Sequence, residues 1–172
     1  MFSLFCGIFV PISFIKVTFF TYGRKIRLCG GALISANFVL TAAHCVFRIE
    51  SKDHPLCFAS RVHRSCFRNP KDIYLFLVGS ENYEPLKARK VIGHPKYSFR
   101  WDAYDIALIQ LSTPVRCGKK IMPICLTAKN LEKLGQQLTI AGLGANTPEG
   151  TVVNLESFLR KTVLHLYNST HY

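Results

Sequence analysis

Along residues 14–111 the apolar positions gather in short runs closed by Gly, Pro, Asn or Ser, and helical spacing is never sustained beyond two turns. Val17-Thr18-Phe19-Phe20 is β-branched and aromatic and is closed by Tyr22-Gly23. Gly30-Gly31-Ala32-Leu33-Ile34-Ser35 is a second run, and Ser35-Ala36-Asn37 supplies turn chemistry ahead of Phe38-Val39-Leu40-Thr41. Ile73 to Val78, Lys87 to Ile92, Ile106 to Leu111 and Leu138 to Ala141 are further strand candidates. Leu155 to Leu166 fits a short helix and, through Thr162, Leu164 and Leu166, fits a strand equally well. Many short strands with turn punctuation predict an all-β fold, a sandwich or a barrel.

Two segments depart from this pattern. Met1 to Ile15 is almost wholly apolar before Lys16 interrupts it. A secretory signal or signal-anchor is one reading of residues 1–13, although no basic residue precedes position 16 and no small-residue cleavage site follows. A buried strand with an unusual start is the other. Residues 50–71 are polar and basic, with His54, Cys57, Arg61, His63, Arg64, Cys66, Arg68 and Lys71, and read as a surface loop inserted in the β-scaffold.

Composition narrows the class. The chain has 172 residues, room for one ordinary domain, and its 49% hydrophobic and 19% charged content excludes a disordered tail. It lacks the uncharged apolar stretch of ~20 residues that a multi-span membrane protein needs. The formal charge of +12 admits anionic partners but bears on association rather than fold. Solvated loop charge is the plain reading of the basic clusters and an acidic glycan face the sharper one. Nucleic acid is set aside, because no stacking aromatics or groove-reading motif accompany the charge. Seven Cys point to the secretory pathway, and the odd count leaves one thiol over.

The sharpest local constellation is Cys29-Gly30-Gly31-Ala32-Leu33-Ile34-Ser35 followed by Thr41-Ala42-Ala43-His44-Cys45. A bridge between the two Cys would close a loop worth ~3 kcal/mol on the chain-entropy argument and fix His44 beside it. A catalytic His needs a carboxylate to set its tautomer, and Asp105, leading into the apolar run 106–111, is the candidate. His54, Cys57, His63 and Cys66 form a zinc-like inventory, but the gap between the pairs is short. A Cys57–Cys66 disulfide stapling the loop is preferred to other pairings or to a metal, so neither metal nor cofactor is expected.

TAAHC at 41–45, CGGALIS at 29–35, HPKY at 94–97, DIALIQL at 105–111 and PICL at 123–126 occur in an order that resembles the trypsin- and chymotrypsin-like serine proteases. The resemblance runs from about Phe14 to Leu166. It implies two six-stranded antiparallel barrels with the active site between them, of which residues 14–172 hold the first and part of the second. It implies His44 as general base, Asp105 as its orienting carboxylate, a Cys29–Cys45 bridge, and a protein or peptide substrate. It also suggests that Cys125 bridges outside the barrel, a role open to Cys6, which leaves Cys117 as the odd thiol.

Departures from the family pattern matter as much. The family's Ile-Val-Gly-Gly-like start is replaced by MFSLFCGIFVPIS, and Leu143 stands where Trp is usual. No Gly-Asp-Ser-Gly-Gly occurs within the 172 residues, so the nucleophile, oxyanion amides and specificity pocket have no counterpart among them. Ser35, Ser80, Ser112 and Ser157 lack a Gly-x-Ser-x-Gly setting. The expectation is a secreted serine endopeptidase that is incomplete and inactive as 172 residues. The alternative is a non-catalytic homologue that binds protein or glycan. Asn168-Ser169-Thr170 fits the N-glycosylation acceptor pattern.

Overall fold

Period-2 alternation is what turns the short runs into a closed surface with one wet and one dry face. In β3 (Phe38–Thr41) Val39 and Thr41 are buried, and in β6 (Ala107–Leu111) Ala107, Ile109 and Leu111 are, while the residues between them are partly exposed. A computed structural model describes residues 14–19, 27–77, 84–101, 103–118, 121–126, 137–142 and 160–165. It divides into two compact units, residues 1–125 and 126–172.

The first unit carries β1 (Phe14–Phe19), β2 (Arg27–Ser35), β3, β4 (Ile73–Leu77), β5 (Leu86–Gly93) and β6. These six strands pair antiparallel in the order β1-β2-β3-β6-β5-β4, and β4 pairs back with β1 to close the barrel. Closure leaves no barrel edge open to strand addition. Register places Leu33 opposite Val39, Val39 opposite Ile109, and Ile109 opposite Val91. Leu33, Val39 and Ile109 are fully buried in this row, as is Leu75 on β4. Each such side chain contributes roughly 1.5–3 kcal/mol of burial. Register shifts at Leu33/Ser35 and Ala88/Lys90 add the local twist that a closing sheet requires.

After β6, residues 112–118 and 121–125 are tied back to the barrel by backbone hydrogen bonds. Val115 donates its amide to the Ala36 carbonyl at 2.8 Å, and Ile124 donates to Leu33 at 2.7 Å. The second unit contains β7 (Gln137–Gly142) and β8 (Arg160–His165), paired antiparallel from Gln137 opposite His165 to Gly142 opposite Arg160.

Observed strands match the apolar runs with shifted ends. β1 begins at Phe14 and β2 at Arg27, ahead of the densest apolar positions, because backbone pairing between them continues through Lys16, Thr18 and Arg27. The ambiguity at 155–166 resolves as strand over Arg160–His165. The readings placed on residues 1–13, Cys6, Leu143 and Asn168 lie outside the described residues.

Residues 50–71 depart from a simple solvated loop. Their ends are tied by the Phe47–Phe67 bridge, with the Arg48 amide donating to Cys66 and the Arg68 amide donating to Val46. Single 3₁₀ turns at Pro55–Cys57, Arg64–Cys66 and Pro70–Asp72 are capped by His54 Nδ1, His63 Nδ1 and Asn69 Oδ1, each accepting a backbone N–H. Cys57, Val62, Cys66 and Phe67 are buried in the shared core. Phe47 is the hub of an aromatic cluster, with ring centroids 6.0 Å from Phe67, 5.4 Å from Tyr97 and 5.5 Å from Phe99. A charge-rich segment is thereby packed through its few apolar residues.

Gly93 is where this segment presses on the barrel: a Cβ there would run into the buried Phe67 ring. Gly93→Ala is therefore expected to cost roughly 1–3 kcal/mol by overpacking. Denaturant unfolding measures it, and adding Phe67→Leu should recover part of the loss. Equal stability of Gly93→Ala and the parent chain would contradict the packing.

Candidate active site

The antiparallel register of β3 against β6 places Thr41 opposite Ala107, so the residues that follow one strand meet those that precede the other. Thr41 is anchored by its own hydroxyl, which donates to the Gly30 carbonyl at 2.9 Å. Past it the chain turns into α1 (Ala43–Val46), a single helical turn that buries Ala43, Cys45 and Val46. His44 is the outward position of that turn, with its side chain 50% exposed. A disulfide joins Cys45 to Cys29 on β2 and ties the turn to the barrel wall.

Asp105 arrives from 61 residues away in sequence. Its Oδ1 accepts the His44 backbone N–H at 2.7 Å, and its Oδ2 lies 2.6 Å from His44 Nδ1. The carboxylate is 26% exposed. Burial by itself pushes this carboxyl upward, but the His44 ring and backbone hydrogen bonds, the His44 charge and the Ala43 amide together hold it below the usual carboxylate range. An ionised carboxylate only accepts, so in the neutral ring the proton sits on Nδ1 and Nε2 keeps its lone pair. Nε2 lies 3.4 Å from Cys45 Sγ, a disulfide sulfur with no proton to donate. Among the described residues, no hydroxyl lies within hydrogen-bond distance of the His44 ring.

The turn that presents Asp105 is unusual. Tyr104 has φ of 54°, the left-handed region, which costs a residue with a side chain roughly 1–2 kcal/mol. The Ile106 amide donates to the Tyr104 carbonyl at 2.8 Å across Asp105, and the His94 amide donates to the Ile106 carbonyl at 3.0 Å. The Tyr104 ring stacks on His94 with centroids 4.9 Å apart and planes at 4°. Neither contact was visible in the sequence, where Tyr104 was only the residue before DIALIQL and His94 only the first letter of HPKY.

Two cysteine clusters invite a metal reading and do not suit one. Cys29, His44 and Cys45 bring donor atoms within 4.8 Å of one another. The two sulfurs are bonded to each other, so neither is a thiolate ligand. Cys57 and Cys66 are likewise joined as a disulfide, and His54 and His63 spend their Nδ1 atoms on turn capping. Cys125 is also disulfide-bonded, while Cys117 is a free, exposed thiol.

The closed six-stranded barrel, with a His–carboxylate pair at one end, is the architecture of the chymotrypsin-like β-barrel proteins. A solved structure described as "Structure of GrC" shares the fold with a TM-score of 0.67 and 24% identity, over 92% of this chain and 61% of that one. The sequence model described as Trypsin matches residues 11–171, and the chain belongs to the trypsin family of serine proteases. It is 32% identical over 141 residues to "Serine proteinase stubble" of Drosophila melanogaster, covering 82% of this chain and 16% of that protein. It is 36% identical over 140 residues to "Phenoloxidase-activating factor 3" of Holotrichia diomphalia, covering 73% of this chain and 36% of that protein. The chain thus spans well under half the length of these relatives.

Because the Asp105 carboxyl is held low in the folded state, its contribution to stability is fully present above the ordinary carboxylate range. It is lost as pH falls through the folded value. Asp105→Asn should lower stability at neutral pH, and the gap between parent and variant should close on acidification. Thermal unfolding across that range measures the gap; one that stays constant with pH would contradict the assignment.

Proposed function

We propose that the chain carries the general-base half of a serine endopeptidase, with His44 as the base and Asp105 as the carboxylate that orients it. The observation that carries this reading is the 2.6 Å contact between His44 Nδ1 and Asp105 Oδ2. In the neutral form of this half-exposed ring it leaves Nε2 free to accept, as proton abstraction requires. In the family reaction a Ser hydroxyl attacks the peptide carbonyl as its proton passes to Nε2. The same nitrogen then returns the proton to the leaving amine, and the imidazolium is stabilised throughout by Asp105. The nucleophile and the oxyanion amides have no counterpart within residues 1–172, so these residues alone form no acyl-enzyme. Residues 14–172 are read as a partial protease domain with residues 50–71 inserted.

Secretion is part of the proposal, supported by the Cys29–Cys45 and Cys57–Cys66 disulfides. Among the described residues no helix is long and apolar enough to cross a membrane.

A second, independent reading concerns an acidic glycan. Lys71, Lys87 and Arg89 line a cleft of about 530 Å³ beside Tyr74. None of the three is in an ion pair with a described residue. Unneutralised cations in a concave setting favour a polyanion.

The 172-residue polypeptide is expected to take up no serine-directed phosphonate probe. A longer gene product bearing a Gly-Asp-Ser-Gly-Gly-like segment is expected to label, and to lose labelling when His44 is changed to Ala. Labelling of the 172 residues themselves would overturn the proposal, and a longer product without that segment would favour the non-catalytic homologue.

For the glycan reading, replacing Lys71, Lys87 and Arg89 together by Glu should bring elution from a sulfated-polysaccharide column to clearly lower salt. Replacing Lys52, Arg61 and Arg64, none of which lines the cleft, together by Glu should matter much less, and equal effects would reduce the binding to net charge.

A further inference from the structure

Asp105 can hold His44 only if the chain enters β6 from the right direction, and that direction is set one residue earlier. Tyr104 turns the backbone through the left-handed region, a conformation that bulky residues rarely adopt. The tight turn closed by the Ile106 amide on the Tyr104 carbonyl has Asp105 at its centre. With an ordinary negative φ at Tyr104, the peptide joining it to Asp105 would rotate and carry the carboxylate away from the amides of α1. Burial does not impose the left-handed conformation, because Tyr104 is 55% exposed.

What holds the Tyr104 side chain is His94. The rings lie parallel, as offset-stacking aromatic pairs do, and Lys96 Nζ sits 5.8 Å from the Tyr104 ring centroid. His94 is itself fixed on both sides. Its Nδ1 accepts the Lys96 amide at 3.1 Å, and its own amide donates to the Ile106 carbonyl. The two ends of the Asp105 turn, Tyr104 and Ile106, are therefore both tied to His94, one through a ring and the other through the backbone.

We propose that Tyr104, stacked on His94, is the positioning residue for the Asp105 carboxylate, and that loss of the stack releases the His44 ring from its Nδ1–H tautomer. This rests on Asp105 being the carboxylate that orients His44. Neither Tyr104 nor His94 touches a reacting atom; both act through Asp105.

The test is ¹⁵N NMR of the His44 ring in the full 172-residue chain, at a pH where imidazole is neutral, reading the tautomer in the folded population. The parent and Tyr104→Phe should hold the ring mainly as Nδ1–H. Tyr104→Ala and His94→Ala should each lower the Nδ1–H fraction by roughly twofold or more, because the hydrogen bond at Nδ1 fixes the tautomer. A merely structural role would lower the melting temperature without moving the tautomer of molecules that remain folded. If Tyr104→Ala does not fold, His94→Ala decides the matter from the other side of the stack. Tyr104→Asn separates backbone from ring, since Asn tolerates the left-handed region without a ring to stack. Full retention of Nδ1–H in that variant, or in His94→Ala, would overturn the proposal. Asp105→Ala is the control for the underlying reading: if it leaves the tautomer unchanged, the orienting role of Asp105 fails whatever Tyr104 does.

Discussion

The pairing of β3 with β6 is the constraint on which the rest depends. Thr41 opposite Ala107 fixes which residues leave the barrel side by side, and so brings His44 and Asp105 together across 61 residues of sequence. A register slip of one residue would turn Val39 and Ile109 outward and separate the carboxylate from the imidazole in the same step. Core and site are thus specified by one set of backbone hydrogen bonds. The Cys29–Cys45 disulfide adds a covalent tie between α1 and β2, on the opposite side of β3 from β6.

Much of this was legible in the residues, because alternation is a local signal and several runs show it clearly. The run 38–41 coincides with β3, and 73–78, 87–92 and 106–111 mark β4, β5 and β6 to within a residue or so at each end. His44 and Asp105 stood out because short, distinctive words surround them. The anchoring of residues 50–71 through a few buried side chains was not legible. Their charges are real, but Val62, Cys66 and Phe67 pack against residues such as Phe47 and Tyr97, and no local pattern encodes such contacts. Tyr104 was missed for a similar reason. A left-handed φ in sequence is usually signalled by Gly, Asn or Asp, and here an aromatic residue adopts it while stacked on a ring ten positions away.

The Cys29–Cys45 and Cys57–Cys66 disulfides divide the labour differently. Cys29–Cys45 acts on the turn that carries His44, whereas Cys57–Cys66 closes a small loop inside the 50–71 segment, whose wider ends are already joined by backbone hydrogen bonds. The segment's shape therefore depends on packing as well as on its crosslink. Exposed Leu56 and Phe58 remain on its rim, with Arg100 lying 5.3 Å from the Phe58 ring centroid, so its outer face is free to vary without disturbing the aromatic hub beneath.

All six barrel strands, the His44–Asp105 pair and the Cys29–Cys45 bridge fall between residues 14 and 111. A ribosome delivers the chain from its N-terminus, at about 5–20 residues per second, and domains generally fold as units. Everything needed to close the barrel has thus been synthesised before the β7–β8 hairpin. The later part of the polypeptide can then emerge after the His44–Asp105 pair has formed, which makes translation order a natural sequence of assembly for that pair.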